Sequence, residues 1–210
     1  MTKFLVIFDV DSTLIEDEVI ELLAEAAGKR EQVAEVTERA MRGELDFAES
    51  LRARVSTLAG LPASVIEDTY ARINVTRGAK QLIDHIHATG GKVAAVSGGF
   101  SQLLQPLAAR LDIDFWKAND LEIVNGLLTG RVSGAIVDRD AKAASLQVWS
   151  AELKIPMQKT IAVGDGANDL GMMEIAGLSV AFNAKPKVKE AAQLVISANN
   201  LEELVAVLPK

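Results

Sequence analysis

The chain has 210 residues, 49% of them hydrophobic and 24% charged, with a formal net charge of −7 and no cysteine. A chain of this length buries about 70% of its unfolded surface, so a globular core is expected and disorder is not. The missing cysteines exclude disulfides, thiolate nucleophiles and cysteine-based zinc sites. The negative balance argues against a nucleic-acid partner, and no apolar run is long enough for a signal-peptide core or a membrane span. A soluble cytoplasmic protein with no membrane partner is expected.

The first element is Phe4-Leu5-Val6-Ile7-Phe8, five apolar residues with the composition of a strand buried on both faces, halted by Asp9-Val10-Asp11. Ligands of open parallel α/β sheets bind at the carboxyl ends of the strands, and residues two apart on an extended segment face the same way. Asp9 and Asp11 can therefore converge on one substrate. Taken alone, the pair is equally well read as the start of a loop, with Ser12 or Thr13 capping a helix.

From residue 16 to 74 the apolar residues recur at helical spacing: Val19, Ile20, Leu22 and Leu23, then Val33, Val36, Ala40 and Met41. Gly28 and Gly43 punctuate this stretch. Asp46 with Glu49 resembles a capping box opening a third helix, and Pro62 is expected to open a fourth that reaches about Ile73. Residues 15–75 thus read as a small four-helix insertion, and residues 1–14 with 76–210 as an α/β core.

Helix and strand alternate from Thr76. A helix over 79–89 precedes the buried strand Lys92–Val96, which runs into Ser97-Gly98-Gly99, and a second helix spans 101–111. Asn125-Gly126 between Leu121–Val124 and Leu127–Thr129 signals a hairpin, expected as a side structure outside the parallel sheet and extended by Val132–Val137. A helix from Ala141 to about Leu153 leads to the third buried strand, Thr160–Val163, which ends in Gly164-Asp165-Gly166-Ala167-Asn168-Asp169. A helix over 170–176, short strands at 179–182 and 194–196 and a closing helix from Leu201 complete a doubly wound parallel sheet.

Three strands therefore end in paired aspartates, a serine with two glycines, and a glycine-aspartate cluster. Together they supply what phosphoryl transfer requires. A carboxylate can attack phosphorus, Ser97 and the amides around Gly98 can donate to phosphoryl oxygens, and Mg²⁺ would relieve the crowding of carboxylates. A serine-hydrolase elbow is excluded, because the only histidines, His85 and His87, precede Ser97 in the chain. A dinucleotide fingerprint at 164–169 fails on Asp169, which stands where the third glycine belongs.

The stretches Asp9-Val10-Asp11-Ser12-Thr13-Leu14, Val96-Ser97-Gly98-Gly99-Phe100, Lys142 and Gly164-Asp165-Gly166-Ala167-Asn168-Asp169 resemble the four motifs of haloacid-dehalogenase-superfamily phosphatases. More narrowly, the chain is similar to the phosphoserine phosphatases among them over nearly its whole length. The resemblance implies a Rossmann-like core carrying a helical cap that closes over a small phosphate ester. It makes Asp9 the nucleophile and Asp11 the general acid and base. Mg²⁺ would be held by the Asp9 carboxylate, the Asp11 carbonyl and Asp165, with Asp169 in support; Ser97, Gly98 and Lys142 would bind the phosphoryl group. In the cap, Glu18 would meet an amino group and Arg54 a carboxylate, with Phe47, Met41 and Asn168 lining the pocket. Some relatives carry a regulatory domain before the first strand, and none is expected here. Alternatives are another small phosphate ester, transfer to an acceptor alcohol, or a receiver-type module without turnover. Oligomeric state is left open.

Overall fold

The computed structural model describes residues 2–209. Strand β1 (Phe4–Phe8) is fully buried. Phe4, Val6 and Phe8 pack into one apolar layer, whereas Leu5 and Ile7 enter another. This two-sided burial explains why the strand reads as a continuous apolar run rather than an alternating one.

Seven strands form one sheet in the order β4-β3-β2-β1-β5-β6-β7. They are β2 (Gly91–Phe100), β3 (Phe115–Val124), β4 (Leu127–Ser133), β5 (Thr160–Gly164), β6 (Leu178–Phe182) and β7 (Leu194–Ile196). All neighbours pair in parallel except β3 with β4. The chain leaves β1 for β2 on one side and later returns to β5 on the other, so the order reverses at β1. In doubly wound sheets that reversal opens a crevice above the strand ends, and Asp9 lies at it.

Between β1 and β2 lie α1 (Val19–Ala26), α2 (Arg30–Met41), α3 (Phe47–Ser56), α4 (Val65–Tyr70) and α5 (Ala79–Ala88). Asp46 caps α3, its carboxylate accepting from the Glu49 N–H at 2.8 Å. The stretch holding α1 to α4 is tied off where it begins and ends: Ile15 bridges Val75, the Glu16 N–H donates to the Asn74 carbonyl and the Thr76 N–H to that of Leu14, both at 2.9 Å. Helix α6 (Ser101–Leu111) follows β2, and α7 (Arg139–Glu152), α8 (Leu170–Ile175) and α9 (Pro186–Ala191) belong to the second half. Among the described residues no helix is long and apolar enough to cross a membrane.

Several expectations are corrected. The hairpin is part of the main sheet: β3 begins at Phe115, pairs in parallel with β2 over its first half and only then turns antiparallel to β4. Its opening residues Phe115-Trp116-Lys117 are partly or largely exposed, so they lack the apolar run that marks the inner strands. Pro62 does not open α4, which starts at Val65. It lies instead in a bridge to Leu127, flanked by bonds from the Gly60 N–H to the Leu128 carbonyl and from the Leu128 N–H to the Leu61 carbonyl at 2.8 and 2.9 Å. Helix α7 starts at Arg139, capped by Asp138, and the closing helix is a 3₁₀ helix over Leu201–Val207.

Candidate active site

Asp9 ends β1 and is followed by a tight turn over Val10–Leu14, in which Asp11 is extended and Ser12 takes a left-handed conformation with φ 56°. This turn aims both carboxylates above the sheet, where they are nearly inaccessible to solvent. Asp11 accepts from the Val19 N–H at 2.8 Å and from the Ser97 hydroxyl at 2.9 Å. It thus serves the first turn of α1 as well as facing the pocket. Ser97 accepts in turn from the Gly99 N–H at 2.7 Å.

Lys142, fully buried on α7, donates to Asp9 and, at 2.7 Å, to Asp169. Asp169 also receives the N–H groups of Asp165 and Gly166, each at 3.0 Å, which folds the turn after β5 back on itself. One carboxylate oxygen each from Asp9, Asp165 and Asp169 lies within 4.8 Å of the others. Burial, aided by Asp169, pushes Asp9 up to about 7 against the pull of Lys142. Burial raises Asp11, opposed by the Val19 and Ser97 bonds; it lifts Asp165 well above the carboxylate range, with Asp9 and Asp169 adding to it. Burial works against the Lys142 charge, yet Asp169 and Asp9 outweigh it and hold its pKa above the ordinary lysine value. Three buried carboxylates share one ammonium, so the cluster favours any further cation, and an all-oxygen donor set suits a hard divalent ion such as Mg²⁺.

Above this floor a pocket is lined by Asp9, Asp11, Gly98 and Asn168 below and by Glu18, Met41, Phe47 and Arg54 above. Val19, Ile20, Leu51 and Gly99 complete the lining. The Phe47 ring lies so close to Gly98 that a Cβ there would stand 2.5 Å from Cζ, so any larger residue at 98 requires the ring to shift. Arg54 is 3% exposed; its Nε donates to the Ser50 carbonyl and its Nη1 to Thr37 Oγ1, at 3.1 and 3.0 Å. Its Nη2 is buried without a partner, as is Asn168 Oδ1. Glu18 accepts from the Ser12 hydroxyl at 2.6 Å, and burial together with the nearby Asp11 pushes it up to about 8.

The residues singled out in the sequence are thus gathered at one crevice, with Ser97, Lys142, Asp165 and Asp169 forming its supporting layer. The sequence reading missed Ser12 and Thr37, which hold Glu18 and Arg54. Ser12 was weighed only as a helix cap, and nothing in the spacing pairs Thr37 with a residue seventeen positions away.

Residues 6–174 match the model of the haloacid dehalogenase-like hydrolases. The chain is 51% identical over 206 residues to a phosphoserine phosphatase of Streptococcus thermophilus, an alignment covering 98% of this chain and 96% of that one. It is 52% identical over 207 residues to phosphoserine phosphatase SerB2 of Mycobacterium tuberculosis, covering 99% of this chain but only 51% of that longer protein. A solved structure described as a phospho-aspartyl intermediate analogue of phosphoserine phosphatase superposes with a TM-score of 0.97 at 40% identity, each chain covered completely. With its strand-end carboxylates, its sheet order and these likenesses, the chain belongs to the haloacid dehalogenase-like hydrolase family.

Proposed function

We propose that the protein is a Mg²⁺-dependent phosphoric monoester hydrolase that converts O-phospho-L-serine to L-serine and phosphate through an aspartyl phosphate. The observation that carries the substrate is the pocket's polarity. Two buried carboxylates, Asp9 and Asp11, stand at the floor, while a buried guanidinium with an unpartnered Nη2 stands in the wall formed by α3. A small ester with a carboxylate at one end meets the guanidinium, and its phosphoryl end would meet the carboxylates through the cation that their cluster favours. The half-buried Glu18 offers a partner for the ammonium between them.

In this reading Asp9 Oδ attacks phosphorus as the ester P–O bond breaks, and Asp11, whose pKa burial raises, delivers a proton to the leaving seryl oxygen. Asp11 then takes a proton from the water that attacks the acyl phosphate, releasing phosphate and restoring Asp9. Ser97 holds Asp11 in place through its one hydroxyl proton, and the backbone at Gly98 would approach the phosphoryl oxygens. Lys142 favours the ionised form of Asp9 against the effect of burial and would offset the charge of the phosphoryl group. Asp9, Asp165 and Asp169 would hold Mg²⁺, with Asp11 contributing through its carbonyl. The metal supplies charge neutralisation and orientation of the phosphoryl oxygens. Residues 15–75 act as a cap hinged at the Ile15–Val75 bridge, closing to exclude water.

The test is phosphate release from L-phosphoserine and from 4-nitrophenyl phosphate, with and without Mg²⁺. Metal-dependent turnover that prefers phosphoserine, with the preference lost in Glu18→Ala and Arg54→Ala, is expected. Equal turnover of both esters by the unaltered protein would remove the substrate assignment and leave the phosphatase.

A further inference from the structure

Strands β2 and β3 run in register at Ala94–Phe115, Ala95–Trp116 and Val96–Lys117, and meet again only at Phe100–Asn119. Four residues advance on β2 for two on β3. The extra residues fall within Ser97-Gly98-Gly99, the stretch that faces the phosphoryl end of the pocket. A bulge of this kind takes backbone groups out of the ladder, and a buried carbonyl there needs another partner.

Asn119 supplies it. Its side-chain Nδ2 donates to the Gly98 carbonyl at 2.8 Å, and its Oδ1 accepts from the Val137 N–H at 2.8 Å. The residue is 2% exposed. The orientation of the amide is fixed by its partners, since a carbonyl only accepts and an N–H only donates. Val137 is buried and precedes Asp138, whose side chain accepts from the Ala141 N–H at 2.9 Å and whose carbonyl accepts from the Lys142 N–H at 2.9 Å. One buried amide thus links the Gly98 peptide to the first turn of the helix that carries Lys142.

We infer that Asn119 is a positioning residue for the phosphoryl group, holding the Gly98 peptide and the start of α7 at a fixed separation so that Gly98 and Lys142 address the same phosphoryl group. The inference rests on the hydrolase reading above for what occupies the site. Asn119 itself touches no substrate. Its loss should therefore reach the phosphoryl end of the pocket and spare the end that binds the amino acid.

The experiment compares the unaltered chain with Asn119→Ala, Asn119→Asp and Leu204→Ala. Leu204 is buried in the 3₁₀ helix that follows β7 and serves as a control for general destabilisation. Asn119→Ala removes both bonds; Asn119→Asp keeps the acceptor for Val137 but sets a carboxylate oxygen against the Gly98 carbonyl. In Mg²⁺, both Asn119 variants should lose about 10- to 100-fold in kcat with KM for phosphoserine changed less than about threefold. Inorganic phosphate, measured by calorimetry, should bind about fivefold more weakly or worse, while inhibition by L-serine stays within about twofold. Leu204→Ala should keep kcat even where its Tm falls as far.

Wild-type kcat and phosphate affinity in Asn119→Ala would overturn the inference, as would equal weakening of phosphate and L-serine. Failure of both Asn119 variants to fold would make Asn119 a folding element and overturn it too. If the unaltered chain leaves phosphoserine intact, the substrate assignment falls, yet the phosphate titration still reads Asn119, because it requires no turnover.

Discussion

The floor and the roof of the pocket are built on opposite electrostatic plans. At the floor most charges have close partners within the chain: Lys142 reaches Asp9 and Asp169, Asp11 accepts from Val19 and Ser97, and Asp169 gathers two backbone N–H groups, whereas the Asp165 carboxylate has, among the described residues, only the Thr13 hydroxyl at 3.5 Å. At the roof Arg54 is held by Thr37 and Ser50 yet keeps one buried nitrogen unpartnered, and Glu18 is bonded to a single hydroxyl. An incompletely paired buried charge destabilises a fold unless something completes it. The floor is therefore held together largely by the chain itself and calls for a cation beside Asp165, whereas the roof calls for the ligand. Changes at the floor should strike chemistry and folding, and changes at the roof should strike selectivity.

The largest effect is expected at Asp9. Asp9→Asn should lower turnover by about 10⁴-fold or more, since removal of a covalent nucleophile leaves only the surrounding binding groups. Near-native Tm is expected, because Lys142 keeps Asp169. Substantial phosphate release by the purified variant would detach Asp9 from the nucleophile's role. Lys142→Met comes next. It strands two buried carboxylates and should destabilise the chain by about 3–5 kcal/mol, read from urea unfolding without metal. Added Mg²⁺ should recover part of that loss, whereas indifference to Mg²⁺ would mean that the carboxylate cluster is not its site.

At the roof, Arg54→Ala should lower selectivity for phosphoserine over 4-nitrophenyl phosphate by about 10- to 150-fold, the equivalent of one charge-assisted contact of about 1.5–3 kcal/mol. The 4-nitrophenyl phosphate rate should hardly change. An equal fall in both rates would place Arg54 with the floor and erase the distinction between the two ends.

Glu18 gives a pH signature. Its pKa is about 8 in the folded chain against an ordinary 4.5, raised by burial and by Asp11, with Asp9 and Glu21 adding and the Ser12 hydroxyl opposing. Between these values the folded state binds the extra proton. Its contribution therefore destabilises the ligand-free protein progressively as pH rises from about 4.5 through about 8. Glu18→Gln removes that contribution and keeps an acceptor for Ser12. The Tm of the variant should thus gain on that of the unaltered protein as pH rises. A gap that stays constant with pH would show Glu18 ionised throughout and the roof less in need of a ligand's ammonium.

The same division governs what could be read from the sequence. The floor's carboxylates were legible because strands buried on both faces must be apolar, so a carboxylate after Phe8 or after Gly164 marks a strand end and hence the crevice; Lys142 was not, and only the resemblance distinguished it. The roof was not: Glu18 and Arg54 have the ordinary look of helix-surface residues, and only the resemblance to a family distinguished them. Ser12, Thr37 and Asn119 were missed because each acts through a hydrogen bond that tertiary packing creates. For Asn119 the two partners lie 21 and 18 positions away on separate segments. The first half of β3 escaped because it lies one strand in from the sheet edge with an exposed face, and the turn signal at Asn125-Gly126 outweighed the weaker signal of Phe115–Lys117.

The smallest effect is expected where roof meets floor. Lys185 Nζ lies 2.7 Å from Glu38 Oε2 on α2, while the Lys185 N–H donates to the Asp165 carbonyl at 2.9 Å, so this ion pair reaches from α2, in the proposed cap, to the turn that bears Asp165. Both side chains are substantially exposed, at 30% and 46%, and water and salt screen such pairs to about 0–1 kcal/mol. That bounds any shift in the balance between open and closed cap to roughly fivefold. Glu38→Gln should therefore raise KM for phosphoserine by no more than that at low ionic strength, and by less in high salt, with kcat unchanged. The cap also keeps the backbone bonds between Gly60, Leu61 and Leu128, which salt does not weaken and which hold the α3–α4 loop against β4. A tenfold or larger, salt-sensitive rise in KM would transfer control of cap position from the hairpin to the ion pair, and the roof would then be fastened chiefly by charge.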